Sequence, residues 1–207
     1  MADTIIDLLR HGEPVGGSRY RGHGIDDPLS EAGWAQMWQA VAADDPAPWT
    51  AVITSPLSRC HAFAQRLADR HDLPLEVRDG VKEVGFGAWE GRTRAELKRD
   101  WALEYSNFHR DPVRMRPVGA EPLEQFAGRV VSALETIVVA HDGSRVLVVA
   151  HAGVLRVALA TVLGAPLESL YRIHIPFAGR LRIRHGDTGM RIEVGCDHGT
   201  SARRSDF

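Results

Sequence analysis

Three places in this chain put side chains suited to phosphoryl chemistry where apolar runs end. The run Thr4–Leu9 stops at Arg10-His11-Gly12, and Arg145–Ala150 (RVLVVA) leads straight into His151-Ala152-Gly153. Between them, the apolar residues Ala51–Thr54 give way to Ser55-Pro56 and then Arg59. Arginine offers a planar, permanently charged fork of donors that matches phosphate oxygens. A neutral imidazole with one unprotonated nitrogen is a competent nucleophile near neutral pH. Glycine after each histidine allows a sharp turn and a close backbone approach to a ligand.

Each of these residues alone has a plainer reading, and the chain supplies its own control. Arg184-His185-Gly186 repeats the first triplet, but Asp187-Thr188-Gly189 follows it, which is turn chemistry between two late strands. That triplet reads as structural, and a lone Arg59 would read as a solvated helix residue. The difference lies in convergence. Ligands of open α/β sheets bind beyond the carboxyl ends of the strands, where residues distant in sequence meet over one crevice.

The elements that would hold these residues can be read from periodicity. Thr4–Leu9, Ala51–Thr54, Leu75–Val77 and Arg145–Ala150 are short apolar runs suited to buried strands. Ser30 with Glu31 is a helix start signal for a helix toward Ala43, and Pro56 suits the first turn of a helix reaching about Arg70. Arg94–Phe108 is helical but polar. Leu123, Phe126, Val130, Leu134, Ile137 and Val138 recur at helical spacing, and an apolar helix follows His151 to Leu163. Tyr171–Val194 reads as strands around a turn at Gly186-Asp187, and Ser201–Phe207 as a frayed tail. Alternating strands and helices predict a three-layer α/β/α sandwich with a mostly parallel central sheet. The length of 207 residues suits one domain, 1–207, with residues 92–122 as a lid over the sheet edge.

Five ordered motifs carry a resemblance to the histidine phosphatase (phosphoglycerate mutase-like) superfamily. They are Leu9-Arg10-His11-Gly12-Glu13, Asp27-Pro28-Leu29-Ser30-Glu31-Ala32-Gly33, Thr54-Ser55-Pro56-Leu57-Ser58-Arg59-Cys60, the loop from Glu83 through Phe86 and Trp89 to Gly91, and Val149-Ala150-His151-Ala152-Gly153. The chain resembles most the α-ribazole phosphatase branch, in Gly85–Glu90, in Glu104-Tyr105 and in the short length. The resemblance implies a phosphomonoesterase working through a phosphohistidine, with no metal and no cofactor. His11 would take the phosphoryl group. Arg10, Arg59 and His151 would bind its oxygens, and Glu83 would serve as general acid and base. Gly12, Trp89 and the loop residues Arg21 and Gly22 would complete the substrate site. A heteroaromatic substrate such as α-ribazole 5′-phosphate could lie on Phe86, Trp89, Tyr105 or Phe108, though each of these equally suits lid packing. Broad-specificity sugar or nucleotide phosphatase and non-catalytic phosphate-binding module are the alternatives. One departure stands out. Pro14-Val15-Gly16-Gly17 replaces a hydroxyl and an amide donor common in the family, leaving Ser18 or Arg19 to compensate.

Composition narrows the remaining classes. A formal net charge of −2 gives no global basic field for nucleic acid or an acidic membrane, so the expected partner is a small phosphomonoester. Cys60 and Cys196 form no framework, and the first residues do not resemble a signal peptide, so a cytoplasmic setting is expected. No G-x-S-x-G elbow supports a serine hydrolase. The ten histidines contain no H-x-x-x-H pair, and Asp197-His198 reads as a surface segment. Nothing in the sequence sets an oligomeric state.

Overall fold

A computed structural model describes residues 2–193. The expected frayed tail and the Asp197-His198 segment lie outside the described residues. Six strands form one sheet: β1 (Thr4–Arg10), β2 (Ala51–Thr54), β3 (Leu75–Val77), β4 (Arg145–Ala150), β5 (Arg180–Gly186) and β6 (Gly189–Glu193). Their order is β3-β2-β4-β1-β5-β6. The first four are mutually parallel, and β5 and β6 run antiparallel at one edge.

Pleating divides each central strand between two apolar layers. Ile6 and Leu8 of β1 and Val146, Val148 and Ala150 of β4 face one cluster. Leu9, Leu147 and Val149 face the other. The first layer is closed by α5 (Leu123–Ala140) and α6 (Ala152–Leu163), the second by α1 (Glu31–Val41) and α2 (Ser58–His71). This is the expected three-layer sandwich, built because the near-continuous apolar strands need cover on both faces.

Local signals account for most boundaries. Ser30 caps α1 by accepting the amide of Gly33 at 3.0 Å. Pro56 lies before rather than inside its helix, because α2 begins at Ser58. The polar segment predicted as one helix is two, α3 (Arg94–Asp100) and α4 (Ala102–Arg110), broken at Trp101. Thr93 and Glu96 form a reciprocal capping box at the start of α3. Leu97, Tyr105 and Phe108 of these helices are buried in the first apolar cluster, so residues 92–110 pack onto the body through an aromatic seam. The control triplet lies at the far end of the sheet. His185 pairs with Thr4 at the start of β1, and Gly186 opposite Gly189 closes the β5–β6 hairpin.

Candidate active site

The carboxyl ends of β1, β2 and β4 open onto a cavity of about 240 Å³, lined by Arg10, His11, Arg59 and Glu83 among others. His11 is the first residue past β1, and its amide donates to the carbonyl of Ala150 at the end of β4. That bond holds the two histidine-bearing strand ends side by side. The rings of His11 and His151 lie 5.2 Å apart, edge to face.

His11 Nδ1 lies 2.7 Å from the carbonyl oxygen of Gly12. A carbonyl can only accept, so Nδ1 carries the proton and Nε2 keeps its lone pair. Burial, then the charges of Arg59 and Arg10, hold the His11 pKa well below the ordinary histidine value. The ring is therefore neutral at neutral pH and nucleophilic at Nε2. His151 is also held neutral, by burial first and then by Arg59. Its Nε2 is 2.8 Å from Ser55 Oγ, and Cys60 Sγ is 3.5 Å from the same nitrogen.

The arginines are anchored by carbonyls, which orient the guanidinium without neutralising it. Arg10 donates to Ile175 O at 2.6 Å and stacks over Phe177 at 4.1 Å. Arg59 is fully buried and donates to Ile25 O and Gly22 O at 3.0 and 2.7 Å. Gly22 has a left-handed φ of 55°, and a Cβ there would meet Glu90 Oε1 at 1.9 Å, so only glycine presents that carbonyl. Arg10 Nε and Arg59 Nε are buried and find no partner among the described residues. Burial first, opposed by the Glu83 carboxylate and aided by the Arg156 charge, holds the Arg10 pKa at about 10, below the usual arginine value. Unpartnered buried donors beside a neutral imidazole suit an anion at the His11 ring.

Glu83 enters from the loop after β3. Its carboxylate accepts from Val84 N at 3.0 Å and from Gly153 N, in the first turn of α6, at 3.2 Å. A Cβ on Gly153 would lie 2.2 Å from Glu83 Oε1, and one on Gly12 would lie 2.3 Å from Gly33 O. Neither glycine has positive φ. Gly12 and Gly153 therefore serve close approach between protein groups, not the sharp turn read from sequence. The Glu83 loop is braced from behind. Arg129 on α5 donates to the carbonyls of Gly80, Lys82 and Glu83 at 2.8–3.0 Å and holds Glu121 with two bonds. Burial pushes the Glu121 carboxyl up, but Arg129 and the Gly85 amide outweigh it and hold the pKa low.

The other expected substrate contacts divide. Gly22 and Arg21 line the cavity, but the Arg21 guanidinium is taken up by Asp27 Oδ2, Gly17 O and Val15 O. It shapes the first loop, in which Ser18 and Arg19 line the cavity beyond the buried Pro14. Gly12 and the fully buried His151 are absent from the cavity wall, and Trp89 also corrects the sequence reading. It is 2% exposed, stacks on Tyr105 at 5.8 Å and does not line the cavity, because it fills the seam under α4. Tyr105 and Phe108 are likewise absent from the cavity wall, and Phe86 alone of the four aromatic candidates belongs to it. Sequence reasoning missed Arg94, His109, Arg156, Tyr171, His174 and Phe177, all of which line it. The place of Arg156 in the helix after His151 was the one available signal.

An α/β sandwich with two neutral histidines, two carbonyl-anchored arginines and a carboxylate at its strand ends defines a phosphoryl-transfer class of site. The chain belongs to the histidine phosphatase superfamily (branch 1), whose model matches residues 6–197. This is a metal-independent phosphomonoesterase family. The chain is 33% identical over 184 residues to the bifunctional protein Rv2228c of Mycobacterium tuberculosis, covering 84% of this chain and 48% of that protein. It thus spans about half the length of this curated relative. It is 29% identical over 170 residues to the adenosylcobalamin/alpha-ribazole phosphatase of Salmonella typhimurium, covering 81% and 84% of the two chains. A mycobacterial glucosyl-3-phosphoglycerate phosphatase solved with VO3 superposes with a TM-score of 0.79 at 26% identity, covering 92% and 97%.

Proposed function

We propose that this protein hydrolyses phosphomonoesters through a phosphohistidine on His11. The observation that carries this reading is the neutral His11 ring, tied at Nδ1 to Gly12 and flanked by the unpartnered donors of Arg10 and Arg59. Nε2 attacks phosphorus, the bond to the ester oxygen breaks, and the Glu83 carboxyl gives its proton to the leaving alkoxide. Arg10, Arg59 and His151 take the charge that spreads over the phosphoryl oxygens. Water then attacks the phosphohistidine and Glu83 takes its proton, releasing inorganic phosphate. In this reading the chain acts as one domain in the cytoplasm, and residues 92–122 cover the site. Rapid acid-free quench during turnover should trap an acid-labile, base-stable phosphoprotein, and His11→Ala should abolish it together with several orders of magnitude of rate. A fully active His11→Ala protein overturns the reading.

Two leaving-group chemistries fit this mechanism. A neutral nucleoside, as in α-ribazole 5′-phosphate, is supported by the Salmonella typhimurium relative and by the aromatic walls Phe86, Tyr171 and Phe177. An alcohol carrying its own negative charge is supported by the arginines outside the phosphoryl set, and broad activity on sugar or nucleotide phosphates fits the altered first loop.

A further inference from the structure

The cavity holds more positive charge than one phosphoryl group needs. Among the described residues its wall carries six arginines, at positions 10, 19, 21, 59, 94 and 156, and one carboxylate, Glu83. Asp27 neutralises Arg21 at 2.8 Å, and Asp26 stands 3.9 Å from Arg59. Among the described residues, no carboxylate forms an ion pair with Arg10, Arg94 or Arg156. A phosphoryl dianion at His11 engages Arg10 and Arg59, which leaves Arg19, Arg94 and Arg156 without an ion-pair partner among the described residues, and Arg19 is turned to the Gly16 and Gly91 carbonyls.

Arg156 is built rather than loose. It is half-buried on α6, its Nε donates to Ile173 O at 2.9 Å, and its guanidinium lies over the Tyr171 ring at 5.4 Å. Two anchors of this kind orient the remaining N–H groups while leaving the charge whole. Its charge is felt at Arg10, which ties it to the phosphoryl site. Arg94 opens α3 and is exposed where it meets the cavity. His109 and His174 line the same wall, and among the described residues Glu83 is the one acidic group on it. In a partly enclosed space of this size, uncompensated like charges repel one another and are relieved by a ligand of opposite sign.

We propose that Arg156, assisted by Arg94, forms a second anion subsite, and that the substrate is a phosphomonoester whose alcohol carries a carboxylate or a further phosphate. This rests on the phosphatase reading and selects within it against a neutral nucleoside.

The test uses 3-phosphooxypropanoate and 3-hydroxypropyl phosphate, which share a three-carbon chain and differ by one carboxylate. The wild-type protein should favour the acid by about tenfold or more in kcat/KM, equal to roughly 1.4 kcal/mol. Calorimetric binding of both compounds to His11→Ala should show the same preference without turnover. Arg156→Gln and Arg94→Gln should each shrink the ratio several-fold. The ratio within one variant is insensitive to how much of it folds. Arg114→Gln, a lid arginine 83% exposed and not lining the cavity, should leave the ratio unchanged. Equal kcat/KM and equal binding for the two compounds in the wild type, or a preference that survives both cavity substitutions, overturns the subsite. Failure to hydrolyse p-nitrophenyl phosphate overturns the phosphatase reading instead, and the binding preference still decides the subsite.

Discussion

At the scale of single residues, the site separates a nucleophile from a proton carrier. His11 is kept neutral by burial and by two guanidinium groups, so its lone pair at Nε2 needs no base to free it. Glu83 lines the same cavity and is steered by the amides of Val84 and Gly153. A general acid matters most when the leaving group is poor. Glu83→Gln should therefore slow phosphorylation by an alkyl phosphate about 10²-fold or more, with a much smaller effect on p-nitrophenyl phosphate, whose phenolate leaves unaided. Single-turnover kinetics on both substrates decides it. Equal slowing of the two would remove Glu83 from the role of acid.

At the scale of elements, the position of Glu83 depends on a helix that never touches the cavity. Arg129 of α5 ties three loop carbonyls, those of Gly80, Lys82 and Glu83, to Glu121. A displacement of about 1 Å at a reacting group can cost on the order of 10²-fold in rate. Arg129→Met keeps most of the aliphatic stem but removes all of these bonds, together with the guanidinium that lies 4.8 Å over the Phe126 ring. It should lower kcat for an alkyl phosphate by about that factor, and lower p-nitrophenyl phosphate turnover less. If both substrates fall in parallel with the folded fraction, Arg129 supports the fold and not the carboxylate's position.

At the scale of the whole molecule, the buried ionisable groups make stability depend on pH in two windows. His11 and His151 are held neutral in the folded state, whereas an unfolded histidine titrates near about 6.5. Below that pH the unfolded chain takes up protons that the folded protein refuses, so stability falls as pH falls. The slope reaches about 1.4 kcal/mol per pH unit for each histidine. The Asp7 pKa is shifted in the same direction, but by its partners rather than by burial. Burial pushes its carboxyl up, but Arg182, Trp49 and Arg145 outweigh burial and hold the pKa low. Its contribution is complete above about pH 4 and is lost only as pH drops through the lowered folded value. Denaturant unfolding should show a steady decline from pH 7 to 5, shallower in His11→Gln, and a second decline below about pH 4. A flat profile between pH 7 and 5 would contradict the neutral burial of the two histidines.

The order of motifs, the periodicity of the helices and the ends of the apolar strands were legible because each is a local property of the chain. A strand that stops at His11 or His151 places that histidine at a sheet edge whatever lies around it, and parallel strands put their carboxyl ends on one side. The sequence by itself therefore determined the three layers, the histidine-bearing edge and the family of chemistry. It also separated Arg184-His185-Gly186 from its twin by turn residues alone. What only the tertiary structure decided depends on partners arriving from elsewhere. Asp7 is hidden in an apolar run, and its place in the core becomes intelligible only when Arg145, Arg182 and Trp49 converge on it. Trp89 reads equally well as a base platform or as packing, and the approach of Tyr105 and Phe108 settles it as packing. Arg94 and Arg156 become neighbours of one cavity only when α3 and α6 are brought to the same strand ends, because the charge surplus of a pocket is a sum over residues that share no sequence window.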